Sequence, residues 1–167
     1  AILHTGIARV VVAMIDPFAE VQGRGIMILR PNKVRTEVGL MEAEAREINA
    51  PFITRLTQRR PYVIAKWAQS LDGKVALAAK PAESFARRRP VWISSEISRH
   101  RVQNLRSRMD AILVGIHTAL ADNPRLTARP KNRRRPLRTA TRIVLDSQCR
   151  LPINSQLLAT VSAAPLH

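Results

Sequence analysis

Three short aliphatic runs constrain this chain most: "ARVVVAMID" at 8–16, "DAILVG" at 110–115 and "TRIVLD" at 141–146. Each is a brief apolar run, and the first, rich in β-branched residues and stopped by Pro17, predicts a strand buried on both faces, as in parallel sheets. "VRTEVG" (34–39) alternates like a further strand. "YVIAKWAQS" (62–70) predicts another, which runs into a Ser-Leu-Asp-Gly turn where Gly73 supplies a positive φ. Between the strands, "GRGIMILRP" (23–31) predicts a short helix and "LMEAEAREIN" (40–49) is rich in helix formers. Ser94 or Ser95 caps a helix over 95–109, with Glu96 in its first turn and Val102, Leu105 and Met109 on one face. Strands alternating with helices imply an α/β architecture with a mainly parallel sheet. The stretch "APFITRLTQRRP" (50–61), with Pro near each end, reads as a linker between two domains. The tail from "SQLLAT" to "AAPLH" carries little pattern.

Composition narrows the function classes. With 46% hydrophobic and 24% charged residues the chain is globular rather than disordered, and 4% aromatic leaves aliphatic side chains to build its core. A single cysteine, Cys149, excludes an internal disulfide and a multi-cysteine zinc site, which fits a cytoplasmic protein. The four histidines fall in no metal-ligand spacing, so no metal is expected. No apolar run reaches the roughly 20 residues that span a bilayer. The start lacks the order of a signal peptide and an initiator Met, as if the chain begins inside something longer.

Lys and Arg outnumber Asp and Glu by 28 to 12, giving +16. Much of this charge clusters in two Pro-flanked stretches, 85–91 and 129–138, which read as solvated basic loops or, alternatively, as a non-specific nucleic-acid surface. No Walker loop, no G-x-G-x-x-G and no nucleophile elbow is present. What remains is a set of polar residues just past apolar strands, where ligands bind in open parallel sheets. Ala68 and Ser70 follow one strand, Thr118 and Asp122 a second, Asp146 and Ser147 a third. Each alone also reads as a turn or cap residue. Together they outline a ligand cleft, with Arg106 and Arg129 available to grip a phosphate.

With those residues assembled, the chain resembles the bifunctional deaminase/reductase family of riboflavin biosynthesis. The likeness is carried by "RPYVIAKWAQSLDGKVA" (60–76), "WISSEISRHRVQNLRSRMDAILVGIHTALADNPRLTARP" (92–130) and "RIVLDSQCRLP" (142–152). These are similar to the first half of the reductase domain, so a reductase half is expected over 62–167, after the linker at 51–61. "GIARVVVAMIDPFAEVQGRGIMILR" and "VGLMEAEAREINAPF" are similar to the tail of the preceding deaminase domain, expected over 1–50. The resemblance implies a dihydrofolate-reductase-like fold, incomplete here, behind a remnant of an α/β cytidine-deaminase-like domain. It implies NADPH as cofactor and the reduction of 5-amino-6-(5-phosphoribosylamino)uracil, a phosphorylated pyrimidine-ribose substrate, and it allows a homodimer. It puts Ala68, Trp92, Thr118, Asp122 and Ser147 against the cofactor, and Arg106, Leu126 and Arg129 against the substrate. No catalytic residue is assigned, although Lys66 reads as a group to polarise the substrate carbonyl or as a solvated rim charge. Deaminase activity is not expected, because the family's zinc ligands and catalytic Glu lie before this chain's first residue. Three departures stand out: a long stretch that brings Pro90 to a substrate-binding Ser position, Asn123 in place of an Asp, and no counterpart of a later Gly-rich segment. They leave open a non-catalytic remnant as the alternative.

Overall fold

The computed structural model describes residues 2–75, 92–129 and 138–167. The chain divides into two compact units, Ala1–Lys66 and Trp67–His167.

In the first unit, strands β1 (Arg9–Val12) and β2 (Arg35–Val38) pair in parallel, Arg9 opposite Arg35 and Val12 opposite Val38. The crossover holds helix α1 (Arg24–Leu29), which Gly23 opens at φ 79, and a 3-10 turn that Lys33 closes at φ 62. The register sets Arg9 and Arg35 side by side, and two like charges there repel. Glu37 resolves the conflict: its carboxylate accepts from Arg9 Nη2 at 2.6 Å and from Arg35 Nε at 2.9 Å. The hydrogen bond from Arg9 holds the Glu37 carboxyl below its ordinary pKa. A lowered pKa means the clamp is fully formed above the ordinary glutamate range and is lost as pH falls through the folded value. Acidification should therefore loosen this unit in wild type, and Glu37→Gln should flatten that acid limb in an acid titration followed by circular dichroism. An identical acid limb in the variant would remove the clamp's role.

Helix α2 (Glu42–Ile48) carries Glu42 and Glu44 in its first turn and an Arg46–Glu42 ion pair of 2.8 Å one turn apart. Helix α3 (Ala50–Gln58) follows at once. The expected linker at 51–61 is thus mostly helical: Pro51 lies in the first turn, where its missing N–H costs nothing, and so starts a helix.

The second unit is built on strands β3 (Ala111–Gly115) and β4 (Thr141–Leu145), again parallel, from Ala111 opposite Thr141 to Gly115 opposite Leu145. Helix α4 (Glu96–Arg106) precedes them, with Ser95 as its cap: the Ser95 hydroxyl accepts from the Ser98 N–H at 3.3 Å. The helix ends at Arg106, short of the expected 109. Helix α5 (Ile116–Asp122) grows directly from the end of β3 and packs back on the sheet. Ile116, Ala119, Leu126 and Leu157 form the buried core, with Ile112, Val114 and Val144 packed against it.

Three further expectations are corrected. Residues 62–70 form no strand, because no neighbouring chain among the described residues takes up their N–H and C=O groups in a ladder. The first run is not covered on both faces: Val11 of β1 is exposed while Val10 and Val12 are half-buried, and β3 alternates likewise. The tail is ordered by tertiary contacts: helix α6 (Gln156–Ala159), capped by Ser155, leads to residues 165–167, which run parallel to β4. Arg142 N–H donates to Pro165 O, Val144 N–H to His167 O and His167 N–H to Arg142 O, each at 2.9 Å. Among the described residues no helix is long and apolar enough to cross a membrane.

Candidate functional site

Helix α4 and the segment after α5 bring two arginines together. Arg106, the last residue of α4, is half-buried, and its pKa is pulled down first by desolvation and then by the positive charge of Arg129. The Arg129 N–H donates to Gln103 Oε1 at 2.9 Å, one turn before Arg106 on the same helix. Among the described residues neither guanidinium has a carboxylate partner. Two neighbouring cations left unpaired repel each other, and an anion between them would relieve that repulsion while meeting two planar forks of donors. Leu126, three residues before Arg129, is buried in the core and anchors the segment that carries it.

The other expected residues occupy three places. Thr118 and Asp122 lie one turn apart on α5, both exposed, and so share a face of that helix. The pairing of Gly115 with Leu145 sets the carboxyl ends of β3 and β4 side by side, so α5 and the pair Asp146–Ser147 emerge from the same end of this sheet. Asp146 is a cap as well as a strand-end residue: Oδ2 accepts from the Leu151 N–H at 2.9 Å. Its Oδ1 is buried without a hydrogen-bond donor, with Arg150 Nε 3.9 Å away. Trp92 stands exposed ahead of α4, and the Arg99 guanidinium stacks 4.7 Å from its ring centre.

Ala68 is not brought to that sheet end by any ladder. It precedes the Ser-Leu-Asp-Gly turn, which forms as expected: Gly73 has φ 79, its N–H donates to Ser70 O at 2.9 Å, and the Lys74 N–H donates to Ser70 Oγ at 3.1 Å. The Ser70 hydroxyl and Lys74 hold the Asp72 carboxyl below its ordinary pKa. The turn's polar groups are thus largely engaged with one another, and Lys66 before it is exposed. The basic stretch 85–91, with Pro90, and most of 129–138 lie outside the described residues.

Sequence reasoning gave no structural role to two residues that shape this region. Asn123, singled out as a departure, ends α5 at φ 41, a left-handed position Asn tolerates. Its Oδ1 accepts from the Gln156 N–H at 2.8 Å. Arg142 is fully buried on β4, under the segment of Leu126 and Arg129. Nothing in the local pattern marked either partner, because both act across more than fifteen residues of chain.

Short parallel strands with α5 packed back on the sheet, and polar residues just past the strand ends, define an α/β protein. The pattern that defines the RibD C-terminal domain matches residues 61–166, and the chain belongs to that family. Its fold is the dihydrofolate-reductase-like α/β fold of those reductase domains. The chain is 40% identical over 164 residues to the riboflavin biosynthesis protein RibD of Aquifex aeolicus, covering 98% of this chain and 43% of the relative. The RibD of Escherichia coli is 37% identical over 164 residues, 90% of this chain and 41% of that protein. Among solved structures, the diaminohydroxyphosphoribosylaminopyrimidine deaminase/5-amino-6-(5-phosphoribosylamino)uracil reductase of Thermotoga maritima superposes with a TM-score of 0.76 at 32% identity, covering 99% of this chain and 43% of that one. RibD of Acinetobacter baumannii gives 0.75 at 30%, covering 98% and 44%. The chain therefore spans about two fifths of the length of the relatives it matches.

Proposed function

We propose that this chain carries the substrate-phosphate grip and part of the cofactor-facing surface of an NADPH-dependent 5-amino-6-(5-phosphoribosylamino)uracil reductase of riboflavin biosynthesis. The observation that carries the reading is the tie of the Arg129 N–H to Gln103 on α4, which sets Arg129 near Arg106, with no carboxylate partner for either guanidinium among the described residues. A ribose phosphate has the charge to relieve their repulsion and the oxygens to accept from both forks. Leu126, buried in the core, anchors the segment that presents Arg129.

Thr118, Asp122 and Ser147, with the orphaned Asp146 Oδ1, fit the ribose and amide end of a nicotinamide cofactor, which offers hydroxyls and an amide N–H₂ to such acceptors. This set contains no cation, and Asp122 would repel a pyrophosphate, so the grip it offers on NADPH is partial. NADPH, when bound, supplies the hydride that reduces the ribose carbon. The residues described here orient that carbon by holding the phosphate at one end of the substrate. The region 1–50 fits a deaminase-domain tail by its likeness to the family, and deamination is not part of the proposed activity.

Calorimetry on the 167-residue chain tests the reading. Ribose 5-phosphate should bind, lose affinity as salt rises, and cease to bind when Arg106 and Arg129 are both replaced by Ala. NADPH should bind weakly, because an incomplete site must order itself at the ligand's expense. Equal binding by the double variant would overturn the phosphate grip. Sequence-selective binding of an oligonucleotide at physiological salt would instead favour a nucleic-acid role for the basic stretches.

A further inference from the structure

Segment 123–129, which carries Leu126 and Arg129, has no regular secondary structure, and two of its residues, Asn123 at φ 41 and Leu126 at φ 54, hold left-handed backbone. Such a segment has no ladder to satisfy its backbone groups and carries strain that its surroundings must support. Here the support comes from side chains of three elements. Gln156, the first residue of α6, makes three contacts: its N–H donates to Asn123 Oδ1 at 2.8 Å, its Nε2 donates to Asn123 O at 2.9 Å, and its Oε1 accepts from Arg125 Nε at 2.8 Å. Arg142 on β4 donates from Nη1 to Arg125 O at 3.2 Å. Gln103 on α4 accepts from the Arg129 N–H. The core side chain Leu157, next to Gln156, packs with Leu126 from below.

We infer that Gln156 is a positioning residue: with Arg142 it clamps the start of this segment and so fixes Arg129 against Arg106. Without such a clamp the repulsion between the two guanidiniums and the strained backbone both favour movement of the segment away from α4. The carboxy-terminal part of the chain, 155–165, thereby sets the geometry of an anion subsite to which it contributes no charge. The inference rests on the phosphate reading of Arg106 and Arg129 given above.

The test uses Gln156→Ala in the full chain. Alanine is the best helix former and Ser155 still caps α6, so the helix itself is not weakened. Two readouts are taken: hydrogen exchange of the Arg129 amide against the amides of β3 and β4, and the ribose 5-phosphate dissociation constant. In the variant the Arg129 amide should exchange about tenfold faster, as expected when bonds worth about one hydrogen bond's net contribution are lost, with β3 and β4 unchanged. The dissociation constant should rise by about 3- to 10-fold. A purely structural residue would speed exchange in β3 and β4 together with Arg129, and that result overturns the inference. So does an unchanged Arg129 amide, or a faster one with unaltered affinity. If the wild-type chain binds no ribose 5-phosphate while the Arg129 amide still responds alone, the clamp is real and the phosphate reading is what fails. Gln156→Glu, which keeps the acceptor for Arg125 and loses the donor to Asn123 O, should fall between wild type and alanine; an effect larger than that of alanine would overturn the contact-by-contact account.

Discussion

Arg142→Met should lower the unfolding free energy of the second unit by about 3–5 kcal/mol, a shift of roughly 15 °C or more in melting temperature for a domain of this size. Among the described residues Arg142 is the largest fully buried side chain, and none of their carboxylates pairs with it. A guanidinium has five N–H donors, and all five are used. Nε donates to Pro165 O at 3.4 Å; Nη1 donates to Arg125 O at 3.2 Å and Thr160 Oγ1 at 2.8 Å; Nη2 donates to Thr160 O at 3.2 Å and to Ala164 O. The cost of burying the charge, which alone pulls its pKa below the ordinary arginine value, is offset by carbonyl dipoles rather than by an ion pair. Methionine replaces only the aliphatic stem, so it leaves the guanidinium's space unfilled and strands those acceptors, each at a cost of about 1–3 kcal/mol. Arg142→Lys keeps the charge with three donors on a single nitrogen, so it should recover only part of the loss. Urea denaturation followed by circular dichroism measures the difference. A loss under about 1 kcal/mol for methionine would mean that water reaches these acceptors and that the buried network contributes little.

The same residue shows what the sequence could disclose. β1, β2, β3 and β4 were legible because short aliphatic runs between turn residues carry their own signal, and the Ser95 cap with Glu96 marked the start of α4 for the same local reason. A strand, though, exists only when another chain accepts its hydrogen bonds. "YVIAKWAQS" has strand composition and no ladder, whereas Pro165–His167, with almost none of that composition, lies along β4. Arg142 alternates with Ile143 and so reads as a solvated strand residue. Its burial depends on carbonyls from positions 125, 160, 164 and 165, which converge only in the folded chain. Of the site, the pairing of Arg106 with Arg129 could be anticipated because both flank β3 in sequence. Gln103, Asn123 and Gln156, which hold Arg129 in place, could not, since a glutamine has no preferred partner until tertiary structure supplies one.

In a complete reductase, Arg129→Ala should raise KM for the phosphorylated substrate by about 10- to 100-fold while changing kcat and the KM for NADPH far less. A charge-assisted contact is worth about 1.5–3 kcal/mol, and a contact to a phosphate remote from the reacting carbon is made equally in the ground and transition states. Its loss therefore falls on binding. The remaining Arg106 would be relieved of its repelling neighbour but left with half the donors, so Arg106→Ala should behave alike, and the two changes should be less than additive because they share one anion. Arg129→Lys restores a charge without the planar fork and should fall between. The pH dependence separates this site from a titrating protein group. Arginine stays charged throughout the neutral range, whereas a phosphate monoester loses its second proton near pH 6. Substrate affinity should rise as pH increases through that value in wild type, and the rise should shrink in Arg129→Ala. Steady-state kinetics across that range decide the matter: an unaltered KM with a reduced kcat would place Arg129 at the reacting carbon, and a selective rise in the KM for NADPH would move the arginine pair to the cofactor.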